Sequence, residues 1–249
     1  MERRHALRTA AALVAGTVAG CDATPPAALS PAAPNSASPA ASEPSATPSP
    51  LPSEITHGPR DRPRVALTFH GQGDPALVHQ LLDRLAAGGA RVTVLAVGTW
   101  LAGQPRLGRR IVAAGHELGN HTQHHADIKR MTPGAALAEI AGCAAVLREV
   151  TGSAGRWFRP SQTAHANPTI IQAAARAGYP VCLSYDVDSL DHTDPGAGAV
   201  VTTTLAAVRP GSIVSLHCGH AGTVAAMPAL LAGLRRRGLQ PVTMTELVA

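Results

Sequence analysis

Aromatic residues are scarce, with two each of Phe, Trp and Tyr making 2% of the 249 residues. So few ring platforms weaken the case for gripping a long sugar polymer by stacking. The formal charge of +5 is a mild excess. With no basic run interleaved with aromatics, it argues for no nucleic-acid partner. The run Arg235-Arg236-Arg237 falls late in an expected helix, where a solvated face and the helix dipole account for it. No Cys-x-x-Cys pair suggests a metal cluster. Beyond Cys21 only Cys143, Cys182 and Cys218 remain, which allows at most one disulfide within the chain. Cys182, inside PVCLSY, reads as a small buried hydrophobe.

A membrane-spanning run is also missing, since the N-terminal apolar stretch TAAALVAGTVAG falls short of the roughly 20 residues a span needs. Behind the basic MERRHALR it reads as the apolar core of an export leader. It ends in VAGC, which resembles the bacterial lipoprotein box, with Cys21 receiving the lipid. Residues 1–21 are therefore expected to be a lipoprotein-type signal, with the protein exported and membrane-anchored facing the cell wall or exterior. Residues 22–60, almost all Ala, Pro, Ser and Thr, are expected to be a disordered linker reaching on the order of 100 Å. Residues 61–249 are expected to form the folded part.

From RVALTF (64–69) onward, apolar strand patterns and helical patterns alternate about seven times. That order predicts an α/β fold with parallel strands and right-handed crossovers, open or closed as a barrel. Five polar clusters then fall at carboxyl ends of expected strands: HGQGD (70–74), NHTQHH (120–125), RPS (159–161), DVDSLD (186–191) and HCGH (217–220). Parallel α/β folds gather their active sites there. His121 and His125, four apart, have the spacing of two imidazoles on one side of a helical turn, a pair suited to a zinc-like ion that still lacks a third ligand.

The stretch VGTWLAGQPRLGRRIVAAGHELGNHTQHH, with FRPS, DVDSLDH and IVSLH behind it, resembles the polysaccharide deacetylase family, the NodB-homology domain of carbohydrate esterase family 4. The resemblance runs from about Val65 to Leu247 and implies a distorted (β/α) barrel of about seven strands. It implies His121 and His125 as metal ligands, with Thr122 steadying their loop. It also implies Arg159 orienting a catalytic carboxylate, Asp188 pairing with Arg159, and His217 as general acid. The usual second proline and tyrosine of the arginine motif are Ser161 and Gln162 here. The usual leucine two positions before the last histidine is Ser215.

The largest departure lies in the first motif. The family's T-F-D-D-G is here Thr68-Phe69-His70-Gly71, with a carboxylate returning only at Asp74. Gly71 and Gly73 give the backbone freedom to fold Asp74 back toward the ion. Asp74 is thus the expected third ligand and a possible base. His70 is left as ligand, base or support for either. The activity implied is metal-assisted removal of acetyl groups, N-acetyl favoured, from an acetylated envelope or extracellular glycan. The cofactor is a divalent metal, zinc first, with cobalt, nickel or manganese also fitting. The rival readings are an inactive NodB-like envelope lipoprotein and a metal-dependent hydrolase of small amides.

Overall fold

A computed structural model describes residues 52–249. The leader, Cys21 and residues 22–51 lie outside the described residues. The elements run β1 (Glu54–Ile55), β2 (Arg64–Gly71), α1 (Pro75–Ala87), β3 (Thr93–Ala96), α2 (Gly98–Gly103), α3 (Pro105–Ala113), β4 (Glu117–Asn120), α4 (Pro133–Thr151), α5 (Pro168–Arg176), β5 (Cys182–Leu183), β6 (Val187–Asp188), α6 (Ala197–Ala207), β7 (Ile213–His217), α7 (Ala221–Arg236), β8 (Gln240–Val242) and α8 (Met244–Val248). Three helices open on the same local signal. Asp74, Thr132 and Asn167 each accept a hydrogen bond from a first-turn backbone N–H, and a proline follows each as the first helical residue.

The strands pair in parallel in the order β4-β3-β2-β7-β6, with β8 on the first residues of β2. A single-residue pairing of Phe158 with both Asn120 and Cys182 carries the path on to β5, and β5 pairs with β1. The result is a strongly curled parallel sheet wrapped by helices. WFRP contributes only the Phe158 bridge to the sheet, and PVCLSY only two strand residues.

Central β2 shows how the side chains sort. Val65, Leu67 and Phe69 pack in the large apolar cluster shared with α1 and α7. Ala66 packs on the other face with Leu95, Trp157, Leu183 and Ile213. The two-residue period therefore turns Ala66, Thr68 and His70 toward the interior of the curl, and His70 emerges at its carboxyl end.

One expected boundary needs correction. The linker was expected to reach residue 60, but Glu54–Ile55 already pair with Cys182–Leu183, Ile55 is buried, and the Gly58 N–H donates to the Gly211 carbonyl. At the other end, PVTMTEL is a strand only to Val242. Thr243 and Glu246 then form a reciprocal capping box that starts α8.

Candidate active site

His70, His121 and His125 each offer a ring nitrogen, and the three atoms lie within 4.8 Å of one another. They come from the end of β2 and the loop after β4. That loop is not the helical turn its spacing suggested. Thr122 (φ 69°) and His125 (φ 56°) both take the left-handed conformation, costly for non-glycine residues. Local bonds hold it: Thr122 Oγ1 accepts from the His125 N–H, and Thr122 N–H donates to Asn120 Oδ1. The two motif departures take part as well. Ser161 Oγ meets Thr122 Oγ1 and donates to the Ala126 carbonyl, and Gln162 Nε2 donates to the His125 carbonyl.

The hydrogen bonds fix the tautomers. His121 Nδ1 donates to the Arg159 carbonyl at 2.9 Å, which leaves Nε2 as a lone pair. His70 Nδ1 lies 2.9 Å from that Nε2. His70 Nε2 lies 3.1 Å from Ser215 Oγ and 3.3 Å from Arg159 Nη1. A guanidinium only donates, so Nε2 accepts and Nδ1 carries the proton toward His121. Burial, then the neighbouring His121, Arg159, His217 and His125, hold His70 well below the usual imidazole range. Burial, then His125, brings His121 down to about 3. Burial and His217 lower His125. All three are neutral at neutral pH, the form a metal needs. The donor set thus fits a zinc-like ion: three neutral imidazoles, one held by a backbone carbonyl behind it.

On the opposite wall, His217 ends β7, with its ring stacked on that of His70 at 4.3 Å. Its Nδ1 donates to Asp191 Oδ1 at 2.7 Å, and its backbone N–H donates to Asp191 Oδ2 at 2.7 Å. Thr223 Oγ1 donates to the same Oδ2. Burial pushes the Asp191 carboxyl up, but the His217 and Thr223 bonds outweigh it and hold it below the usual range. Among the described residues, His217 Nε2 has no hydrogen-bond partner. A cavity of about 450 Å³ is lined by His70, His121, His125, His192, His217 and His220. A second, of about 290 Å³, shares four of these and adds Gln162, Tyr185, Asp188 and Ser215.

Two expected residues are placed otherwise. Asp74 is not grouped with the three imidazoles: it is exposed, its Oδ1 accepts the Ala76 N–H at 2.7 Å, and it caps α1. Gly71 does not loosen the turn that was to fold Asp74 back, because it is still in β2, paired with Ala96. Asp188 forms no ion pair with Arg159 among the described residues. Fully buried Arg159 donates instead to Thr68 Oγ1 and to the carbonyls of Leu183 and Ser184. Burial lowers its pKa to about 10, against the raising effect of Tyr185 and Asp188, so it stays charged. Asp188 Oδ1 caps the Leu190 N–H. Sequence reasoning missed the buried carboxylate Asp191 as the partner of His217, although its position three residues after Asp188 made it a candidate. It also missed Ser215 as a partner of His70.

Residues 57–182 match the family described as polysaccharide deacetylase. A chitooligosaccharide deacetylase of Bradyrhizobium sp. (strain ANU 289) is 32% identical over 190 residues, covering 71% of this chain and 86% of the relative. A peptidoglycan-N-acetylglucosamine deacetylase of Bacillus cereus is 29% identical over 200 residues, covering 76% of this chain and 90% of that protein. Among solved structures, the wild-type CE4 family pseudoenzyme from Bacillus anthracis superposes with a TM-score of 0.75 at 22% identity, covering 80% of this chain and 70% of that one. That likeness shows the fold, a NodB-like (β/α) barrel.

Proposed function

Because the chain belongs to the polysaccharide deacetylase family, we propose that it is a metal-dependent deacetylase acting on an acetylated envelope or extracellular glycan, with N-acetyl groups favoured. The observation that carries the reading is the set of three imidazole nitrogens within 4.8 Å at the barrel mouth. His70, His121 and His125 would hold the ion, zinc first. When bound it supplies Lewis acidity toward an acyl oxygen and acidifies a water toward neutrality.

Amide hydrolysis also needs a base for the attacking water and a proton for the departing amine. Among the described residues, the only carboxylate lining the two cavities is Asp188, and it lies in the smaller one. Proton transfer therefore falls to imidazole. His217 is best placed, because buried Asp191 holds its Nδ1–H and leaves Nε2 free to take the water proton and pass it to the amine. Arg159 acts behind the site, donating to His70 and lending its carbonyl to His121. The leader and the VAGC box support an exported protein tethered through a lipid on Cys21.

One feature favours a second reading, in which the chain binds metal without turnover. Gly71 stands where the family has a carboxylate, and the first-motif position before it is His70. The test is zinc content and acetate release by the full-length protein on chitooligosaccharides, peptidoglycan and small acylated amides. Acetate released by wild type and lost in His125→Ala supports the proposal. Zinc bound with no acetate released from any substrate supports the second reading.

A further inference from the structure

The two departures from the family pattern on neighbouring strands touch each other. His70 stands where the family has a carboxylate, Ser215 where it has leucine, and His70 Nε2 lies 3.1 Å from Ser215 Oγ. Across the β2–β7 pairing Thr68 is level with Ser215 and His70 with His217, so the hydroxyl sits one pleat behind the ring it meets. Ser215 is 2% exposed, so water has little access to this contact.

We propose that Ser215 is a positioning residue that makes His70 available as a metal ligand, by accepting a hydrogen bond from Nε2–H when Nδ1 turns to the ion. This rests on the three-imidazole reading of the site. The argument is one of donors and acceptors. In the arrangement seen, Arg159 Nη1 donates to His70 Nε2, and the Nδ1 proton points at His121 Nε2. That proton occupies the lone pair His121 needs for a metal, and Nδ1 itself is blocked. Ligation by both rings requires the His70 proton to move to Nε2. There it faces a guanidinium, which has no lone pair to offer, and a hydroxyl, which has two. Ser215 is therefore the neighbour of Nε2 able to accept a hydrogen bond from it. A leucine at 215 would leave that N–H buried with no acceptor, so a histidine at 70 and a serine at 215 make chemical sense only together.

The experiment measures zinc affinity by competition with a chromophoric chelator, in the full-length protein and in Ser215→Ala, Ser215→Leu, Ser215→Thr and His121→Ala. Outer partners of metal-bound histidines contribute about 10- to 100-fold in affinity. Ser215→Ala and Ser215→Leu are expected to lose that much, and Ser215→Thr, which keeps the hydroxyl, to retain wild-type affinity. Long-range 1H–15N spectra of the imidazoles are expected to show the His70 proton on Nδ1 without zinc and on Nε2 with it. Wild-type affinity in Ser215→Ala, or a zinc-loaded His70 still protonated at Nδ1, overturns the role of Ser215. If His121→Ala binds zinc as tightly as wild type, the metal reading beneath it fails instead.

Discussion

Asp188 and Asp191 stand three residues apart in one turn, yet only the second is folded inward. Leu190 between them takes a left-handed conformation (φ 58°), and Asp191 ends up 1% exposed against His217. Asp191→Asn keeps the shape but removes the charge that sets the His217 tautomer. It is expected to lower acetate release by about 10²- to 10⁴-fold with zinc content unchanged, the range a general acid–base group contributes. Asp74→Ala should do the reverse. Loss of an N-cap costs about 0.5–2 kcal/mol in stability, read from chemical denaturation, while zinc affinity stays at the wild-type value. The buried imidazoles add a pH signature. An unfolded histidine takes up a proton near pH 6.5, whereas folded His70, His121 and His125 resist, His121 until about pH 3. The unfolded state thus binds more protons in that window, and stability rises with pH there. Metal-free protein should melt at progressively lower temperature as pH falls from about 6.5 toward 3, with Asp191 adding its loss only near pH 4 and below. A flat melting profile between pH 7 and 5 would contradict neutral buried rings.

Among the elements, the backbone of β2 decides what the first motif can become. A Cβ on Gly71 would lie 2.9 Å from Ala96 Cα and 3.1 Å from the Leu95 carbonyl oxygen. Gly71→Asp, which restores the family's second carboxylate, is expected to force β2 and β3 apart. It should lower stability by about 1–3 kcal/mol or more without raising zinc affinity, checked by denaturation and chelator competition. Farther along, Gly73 (φ 134°) would bring a Cβ to 2.3 Å from Gly219 Cα, and Trp100 Nε1 pins its carbonyl. The loops after β2 and β7 therefore close on each other through two glycines. Much of this framework is legible in the sequence, because β-branched runs such as RVTVLAV and cap-proline pairs such as Thr132-Pro133 state their structure locally. What is not legible depends on distant partners. Phe158 becomes a strand residue only between β4 and β5, and Glu54–Ile55 only against β5. The fate of Asp74 shows the same limit from the other side. Its position before Pro75 is the same capping signal that Thr132 and Asn167 carry before their prolines.

For the whole molecule, the pairing of β1 makes the start of the fold a matter of stability. A chain beginning at residue 61 loses the β1–β5 pairing, buried Ile55 and the Arg60–Asp186 ion pair. It is expected to be less stable than one beginning at 49 by at least the about 1.5–3 kcal/mol of one buried aliphatic side chain, read as a shift in the denaturation midpoint. Six imidazoles around one cavity, in a chain almost without ring platforms, offer a ligand nitrogen lone pairs and hydrogen bonds more than stacking surfaces. The three thiols have a further consequence. Cys143, Cys182 and Cys218 are free and buried, and burial pushes the first two up to about 12 and Cys218 upward as well. Each is silent to an alkylating reagent while its own region stays closed. The described residues therefore carry three built-in clocks, and the one next to His217 times the breathing of that wall of the cavity.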